Sequence, residues 1–180
     1  MAQIYVTNGL VKPKSIHIYN SSAQLWESDR VGYVRVNGEW IPFIEYALWI
    51  YKKGTENIEL ISYGGGGSIS RQDERIKLSR QSSSGETGMG TNGRIDVTKY
   101  SNVCVEWERL LQGDGDSHLS VLSDKRFPTY DARLVKKGNF DKQISKLDIS
   151  SLNGEYYIGI SQYRSFSGAT DIFIYNIWME

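Results

Sequence analysis

The sequence predicts an all-β protein, and three observations carry that expectation. Helical periodicity is almost absent from the 180 residues. Segments alternate instead with period two, as half-buried strands do, and are bounded by Gly, Asn, Asp and Ser. A short strand running into an Asn-Gly turn is spelled twice near the N-terminus, in IYVTNG and YVRVNGEW. Asn-Gly tolerates the positive φ of a type I′ hairpin turn. Strands are expected near 4–7, 15–19, 31–36, 39–45, 47–52, 58–63, 68–71, 74–79, 103–110, 118–123, 131–135, 142–146, 155–163 and 171–179. Many short strands with frequent turns point to an antiparallel β-sandwich, jelly-roll-like, over 47–180, behind a hairpin-rich arm over 1–46.

Along the arm, IYVTNGLVKP, IHIYNSSAQLW and YVRVNGEWIPF are three loose copies of one phrase: a β-rich run, an Asn-centred turn and a partner strand. Each is too short to bury an apolar face alone, so it is stable only when stacked or docked. Gly64 to Gly67 follow, with strand-like IELISY and SISRQ on either side, which suits a tight loop. A phosphate-cradling loop would need a Lys-Ser/Thr pair and a helix after the glycines, and neither follows.

IDVTKY (Ile95 to Tyr100) and LDISSLNG (Leu147 to Gly154) share a second phrase, in which Asp and Ser/Thr side chains can bond nearby amides and fix a turn. Each precedes an apolar strand. In VCVEWERL, Glu106 and Glu108 share one face opposite Val105 and Trp107. Paired carboxylates could hydrolyse a glycoside, but acidic pairs at this spacing commonly form the solvent face of a strand. No catalytic residue is therefore assigned. GDGDSH offers Asp114 and Asp116 to a structural calcium, although the further ligands of a full calcium loop are missing. No other cofactor is expected.

In YYIGISQYR, Tyr157, Gly159, Ser161 and Tyr163 point away from Tyr156, Ile158 and Ile160. In DIFIYNIW, Phe173, Tyr175 and Ile177 oppose Ile172, Ile174 and Trp178. Tyr157, Tyr163 and Tyr175, with Arg164 at the end, are thereby expected on one polar-aromatic face suited to stacking on sugar rings. The last strand is apolar on both sides, so it should be central, with Trp178 substantially buried.

Composition narrows the classes. Lys+Arg and Asp+Glu both number 21, which argues against a nucleic-acid binder or a polybasic membrane anchor. No apolar run approaches the ~20 residues of a membrane span. The first residues lack the charged and apolar regions of a secretory signal. The single cysteine, Cys104, excludes an internal disulfide, and its alternating context marks a buried thiol.

Together, AQIYVTNG, VNGEW, YKKG, IDVTKYSNVCVEWE, LDISSLNGEYYIGI and the terminal IYNIWME resemble virion appendage proteins of tailed bacteriophages, and their prophage copies, from Gram-positive hosts. The resemblance implies a non-enzymatic particle component of tail, baseplate, neck or head, released by host lysis. It implies an arm that attaches through Tyr5, Asn8, Trp26, Asn37 and Trp40, with other virion proteins and further copies of the chain as partners. The outward sandwich would then meet a host-surface polysaccharide. The alternatives are a free-standing carbohydrate-binding module and, third, a polysaccharide-degrading enzyme built on Glu106 and Glu108.

Overall fold

The computed structural model describes residues 47–64, 67–80, 85–110, 115–124, 130–164 and 170–180, with backbone alone at residues 17–20, 25–28, 33–36 and 39–42. The chain divides into two compact units, Met1–Ala47 and Leu48–Glu180. In the first, β1 (His17–Asn20) pairs with β2 (Leu25–Ser28), and β3 (Tyr33–Val36) pairs with β4 (Glu39–Pro42), both antiparallel. The strand expected at 4–7 lies outside the described residues, as do Tyr5, Asn8 and Asn37. Trp26 and Trp40 fall on β2 and β4.

The second unit is an antiparallel β-sandwich. Its strands are β5 (Leu48–Lys52), β6 (Thr55–Glu56), β7 (Leu60–Gly64), β8 (Gly67–Gln72), β9 (Arg75–Arg80), β10 (Gly85–Thr91), β11 (Ile95–Asp96), β12 (Asn102–Arg109), β13 (Asp116–Leu122), β14 (Ala132–Lys137), β15 (Phe140–Asp148), β16 (Glu155–Arg164) and β17 (Thr170–Met179). The first sheet runs β14-β13-β16-β10-β7, with β11 added beside β16. The second runs β15-β12-β17-β5-β6, with β9 also pairing β17 and β8 pairing β9.

Alternation explains how the sheets close on each other. Leu60, Met89, Leu119, Val121, Ile158 and Ile160 of the first sheet meet Ile76, Leu78, Val103, Val105, Trp107, Ile172 and Ile174 of the second in one buried cluster. At about 25 cal/mol per Å2 of apolar surface removed from water, such side chains each contribute roughly 1.5–3 kcal/mol. Gln162 and Trp107 find partners for their polar groups between the sheets. Gln162 donates to the carbonyls of Leu78 (3.0 Å) and Thr170 (3.3 Å), pinning β16 to the opposite sheet. Trp107 Nε1 donates to Ser145 Oγ at 2.9 Å. Cys104 is buried, and burial pushes its thiol up to about 12.

The paired turn phrases are structural in the way their residues suggest. Asp96 and Asp148 each accept a bond from the amide two residues on, at Thr98 (3.0 Å) and Ser150 (2.9 Å). The two copies then join, because the Val97 amide donates to the Gly154 carbonyl at 2.9 Å and the Ile149 amide to the Ser101 carbonyl at 2.8 Å.

The final strand is central, as its two apolar sides predict. It pairs β12 along one edge and, along the other, β9 and then β5. The expected division of its faces needs correction. Trp107 stands opposite Ile174 and Glu106 opposite Asn176, so Tyr175 is an extra residue in a β-bulge. A bulge shifts the alternation by one. Ile177 therefore joins Ile172 and Ile174 inside, and Trp178 turns outward. Trp178 is half-buried rather than substantially buried, its ring 5.3 Å from that of Trp49 and its Nε1 donating to Glu180 at 3.0 Å. The bulge falls where β17 exchanges β9 for β5, and its carbonyl accepts the Lys53 amide at 3.1 Å.

A strand that the patterns leave unassigned, β10, forms from GETGMGT. Its glycines argue against a strand by propensity, yet the packing requires one of them. A Cβ on Gly90 would stand 2.4 Å from the Tyr63 ring and 2.8 Å from the Ile158 carbonyl oxygen.

Candidate functional site: the outer face of the first sheet

On the side of the first sheet away from the core, strand pairing sets three rows. His118, Ser161, Gly88 and Tyr63 lie in one, and Arg133, Ser120, Gly159, Gly90 and Ile61 in the next. Leu122 and Tyr157 begin a third, while Asp116, Tyr163 and Glu86 lie in line at the opposite end. The centre is a floor of small residues. Around it stand tyrosine rings, of which Tyr63, Tyr130 and Tyr157 are partly buried and Tyr163 is 43% exposed.

Glu86 is the hub of this face. Its carboxylate accepts bonds from the Tyr130 hydroxyl, 2.8 Å from both oxygens, and from Ser161 Oγ. His118 Nδ1 lies 3.0 Å from Oε1. Burial alone would raise the Glu86 pKa, but the bonds from His118, Ser161 and Tyr130 outweigh it and hold the carboxyl below its usual range. Burial and the bond to Glu86 push the Tyr130 phenol up to about 12. The Tyr130 and His118 rings meet edge-on, with centroids 6.2 Å apart. Tyr63 crosses the floor and donates to the Thr91 carbonyl at 2.8 Å.

A Ser, a His and a carboxylate in contact invite a nucleophilic reading, and the geometry does not support it. A relay needs the acid on one ring nitrogen and the nucleophile on the other. Ser161 and Glu86 both meet Nδ1 of His118, at 3.4 and 3.0 Å. The hydroxyl and the ring are instead held by the carboxylate as fixed hydrogen-bonding groups.

Two guanidinium groups complete the face. Arg133 lies 4.5 Å from the centre of the Tyr130 ring, and Arg94 lies 5.5 Å from that of Tyr157. Arg94 Nη2 also donates to the Ser123 carbonyl at 2.9 Å.

The residues expected to share one sugar-binding face are divided. Tyr157 and Tyr163 do share the outer face of β16, six residues or about 20 Å apart along the strand. Arg164 ends β16 in backbone, its side chain lying outside the described residues. Tyr175 belongs to the second sheet, on the far side of the sandwich. Alternation within a strand gives its face but not its sheet, and β16 and β17 join different sheets although they are consecutive in the chain.

On its own face Tyr175 donates to Glu108, and Lys142 lies 3.8 Å from its ring centre. Burial and that bond to Glu108 raise its pKa. Glu106 and Glu108 share this face, as their spacing predicts. Glu106 pairs with Lys142 at 3.3 Å and accepts from Asn176, while Glu108 pairs with Arg75 at 3.6 Å. The two carboxylates stand side by side on one strand rather than on opposite walls of a cleft. A shallow groove of about 340 Å3 nearby is lined by Gln72, Asp73, Glu74, Arg75 and Tyr175, and its Arg75 already bonds Tyr175 at 3.3 Å.

Asp116 opens β13, whereas Asp114 lies outside the described residues. Among the described residues, no three His, Cys, Asp or Glu side chains gather where they could hold a metal ion.

Glu86, His118, Tyr130, Tyr63, Arg94 and Arg133 are the members of this face that the sequence reading missed. The alternation of SHLSVL puts His118 and Ser120 on one side, a usable signal. Nothing local marks Glu86 or Tyr130, whose bond spans 44 positions of the chain.

No family model matches the chain, and neither does any curated protein. Among solved structures it is similar to a family 11 carbohydrate-binding module from Clostridium thermocellum in complex with a β-1,3-1,4-mixed-linked tetrasaccharide. That likeness has 11% identity and a TM-score of 0.49, over 74% of this chain and 94% of the other. A variant of a family 29 carbohydrate-binding module is similar at 16% identity and a TM-score of 0.49, over 74% of this chain and 91% of the other. A low-affinity xylan-binding module from Roseburia intestinalis is similar at 14% and 0.49, over 67% and 88%. At this distance a shared outline says nothing of a shared ligand. None of the three is named as a virion protein, so the likeness to phage appendages rests on the sequence phrases alone.

Proposed function

We propose that the sandwich is a non-catalytic glycan-binding module whose ligand lies on the outer face of the first sheet. One observation carries this reading: Tyr157, Tyr163 and Tyr63 stand around a floor of Gly88, Gly90, Gly159 and Ser161, beside the hydrogen-bonded Glu86–Tyr130–His118 cluster. A sugar presents apolar ring faces and polar edges. Aromatic rings take the first and fixed polar groups take the second.

Affinity electrophoresis of the full chain against a panel of soluble polysaccharides tests the proposal. Retardation is expected in at least one gel, and Tyr157→Ala with Tyr163→Ala should abolish it while leaving the melting transition in place. Retardation unchanged in the folded double variant, or none across the panel, would sink the reading.

A second reading concerns residues 1–46. We infer that this segment is an attachment arm, because β1–β2 and β3–β4 are separate two-stranded sheets, and a lone hairpin is marginal in water. The phrases of the sequence suggest a phage particle as the larger surface, with Tyr5, Asn8, Trp26, Asn37 and Trp40 at the joint and several copies per particle. Hydrogen exchange of the isolated chain should find residues 1–46 poorly protected beside 103–179. Uniform protection in a verified monomer would reject the arm.

A further inference from the structure

We infer that the glycan taken by the first sheet is acidic, a polysaccharide with carboxylates on its sugar rings. The inference rests on the proposal that this face binds glycan. It comes from two exposed side chains, Arg94 and Arg133. Each stands beside a tyrosine ring of the face, at 5.5 Å from Tyr157 and 4.5 Å from Tyr130. Neither forms an ion pair with a carboxylate among the described residues.

Two acids on this side, Glu86 and Asp131, already accept hydrogen bonds. Glu86 is held by Tyr130, Ser161 and His118, and Asp131 accepts the Ser123 amide at 2.6 Å. Asp116 lies at the opposite end, in line with Tyr163. The second sheet's outer face is the control within the same molecule. There Arg75, Lys77, Lys142 and Lys146 pair with Glu108, Asp171, Glu106 and Glu180. Of the four cations beside aromatic rings on that face, Arg75, Lys77 and Lys142 are paired with a carboxylate among the described residues and Lys52 is not, whereas on the first sheet neither Arg94 nor Arg133 is.

A guanidinium is always charged and presents a planar fork that fits a carboxylate with two parallel bonds. A neutral sugar would use it only as a hydrogen-bond donor, and an amide side chain would serve that purpose as well. The fixed charge gains from an anion. Position fits too. Arg133 lies opposite Ser120, which lies opposite Gly159, the neighbour of Tyr157 on the outer side of β16. A ring stacked near Tyr157 would therefore have Arg94 against it and Arg133 about 10 Å across two strand spacings.

The full chain should be titrated with polygalacturonate, alginate and hyaluronan, with their carboxyl-reduced forms, and with a neutral β-glucan and a xylan. Retention by at least one acidic polymer is expected, lost when its carboxyls are reduced to hydroxymethyl groups. It should weaken steeply as salt rises toward about 0.5 M, as solvent-exposed charge pairs do. Arg94→Gln and Arg133→Gln should each weaken it roughly fivefold, the scale of an exposed ion pair near 1 kcal/mol. Binding by neutral polymers alone, by no acidic polymer, equally by the reduced forms, or unchanged in both arginine variants overturns the acidic assignment. Tyr157→Ala with Tyr163→Ala separates the two levels. If that pair abolishes binding to a neutral polymer, the face still binds glycan and only the acidic class fails. If it leaves every interaction intact, the face reading itself fails.

Discussion

The outer face of the second sheet carries four aromatic side chains, Trp49, Phe173, Tyr175 and Trp178, and each is already engaged. Lys52 lies 4.3 Å from the Trp49 ring centre, Arg75 4.1 Å from that of Phe173 and Lys142 3.8 Å from that of Tyr175, while Trp178 stacks on Trp49. The outer face of the first sheet uses tyrosines, acids and arginines as well. There the carboxylate at the centre is satisfied by hydroxyls and an imidazole, Tyr163 stays exposed, and the glycines and serines between are buried. One face spends its polar groups on itself. The other buries its central polar groups in one cluster and leaves Tyr163, Arg94 and Arg133 facing outward. Composition would not separate the two; the pairing does.

The largest effect should come from filling the floor. In Gly90→Val the new side chain meets the Ile158 carbonyl oxygen, which is backbone and cannot move aside as the Tyr63 ring could. Forcing bulk into a packed site costs about 3 kcal/mol, so a drop in melting temperature of several degrees is expected. If Gly90→Val melts with the parent, the floor is looser than its geometry says, and the contrast between the faces weakens.

Next comes the hub. Glu86→Ala removes the acceptor for Tyr130 and Ser161 and the partner of His118 in one step. Stranded buried donors cost about 1–3 kcal/mol, and a loss near 2 kcal/mol is expected by chemical denaturation. The wild-type carboxyl has a folded pKa below its ordinary value of 4.5. Its contribution is therefore complete above the ordinary carboxylate range and is lost as pH falls through the folded value. The variant should flatten that part of the acid limb. An identical acid limb in both proteins would mean that Glu86 is not the hub.

How much of this was legible depends on distance along the chain. Strands such as β12, β16 and β17 announce themselves, because each alternates over many residues within one element. The acidic pair Glu106 and Glu108 was placed on the correct face by spacing alone. β10 was not legible, because the need for Gly90 comes from Tyr63 and Ile158, far away in sequence. The bulge at Tyr175 was invisible for a similar reason, since it arises where β17 changes partner, and it moved Trp178 from the expected inside to the outside. The hub joins β10, β13 and β16 with a residue preceding β14, and no local pattern encodes such a meeting.

That bulge gives the third test. Were Trp178 in the core, Trp178→Ala would cost about 3–5 kcal/mol. Outward and stacked on Trp49, it should cost about 1–2 kcal/mol, from one aromatic pair and partial burial. A soluble variant melting a few degrees lower is expected. A collapse of soluble yield would return Trp178 to the core and remove the bulge from the account.

The smallest effect should come from the paired acids on the second sheet. In the Glu106→Gln, Glu108→Gln double variant, the Gln side chains can still accept from Asn176 and Tyr175, so mainly the ion pairs to Lys142 and Arg75 are lost. Those lysine and arginine partners are partly solvated, and exposed pairs contribute about 0–1 kcal/mol. Stability should therefore fall by less than about 1 kcal/mol, and polysaccharide retention by the first sheet should not change. The comparison is then at its sharpest, because removing two charges on one face does nothing to binding while removing two tyrosines on the other abolishes it. A glycan-cleaving activity that disappears in the double variant would reverse the assignment. The second sheet would then hold the working site, and Glu106 and Glu108 would be its acids.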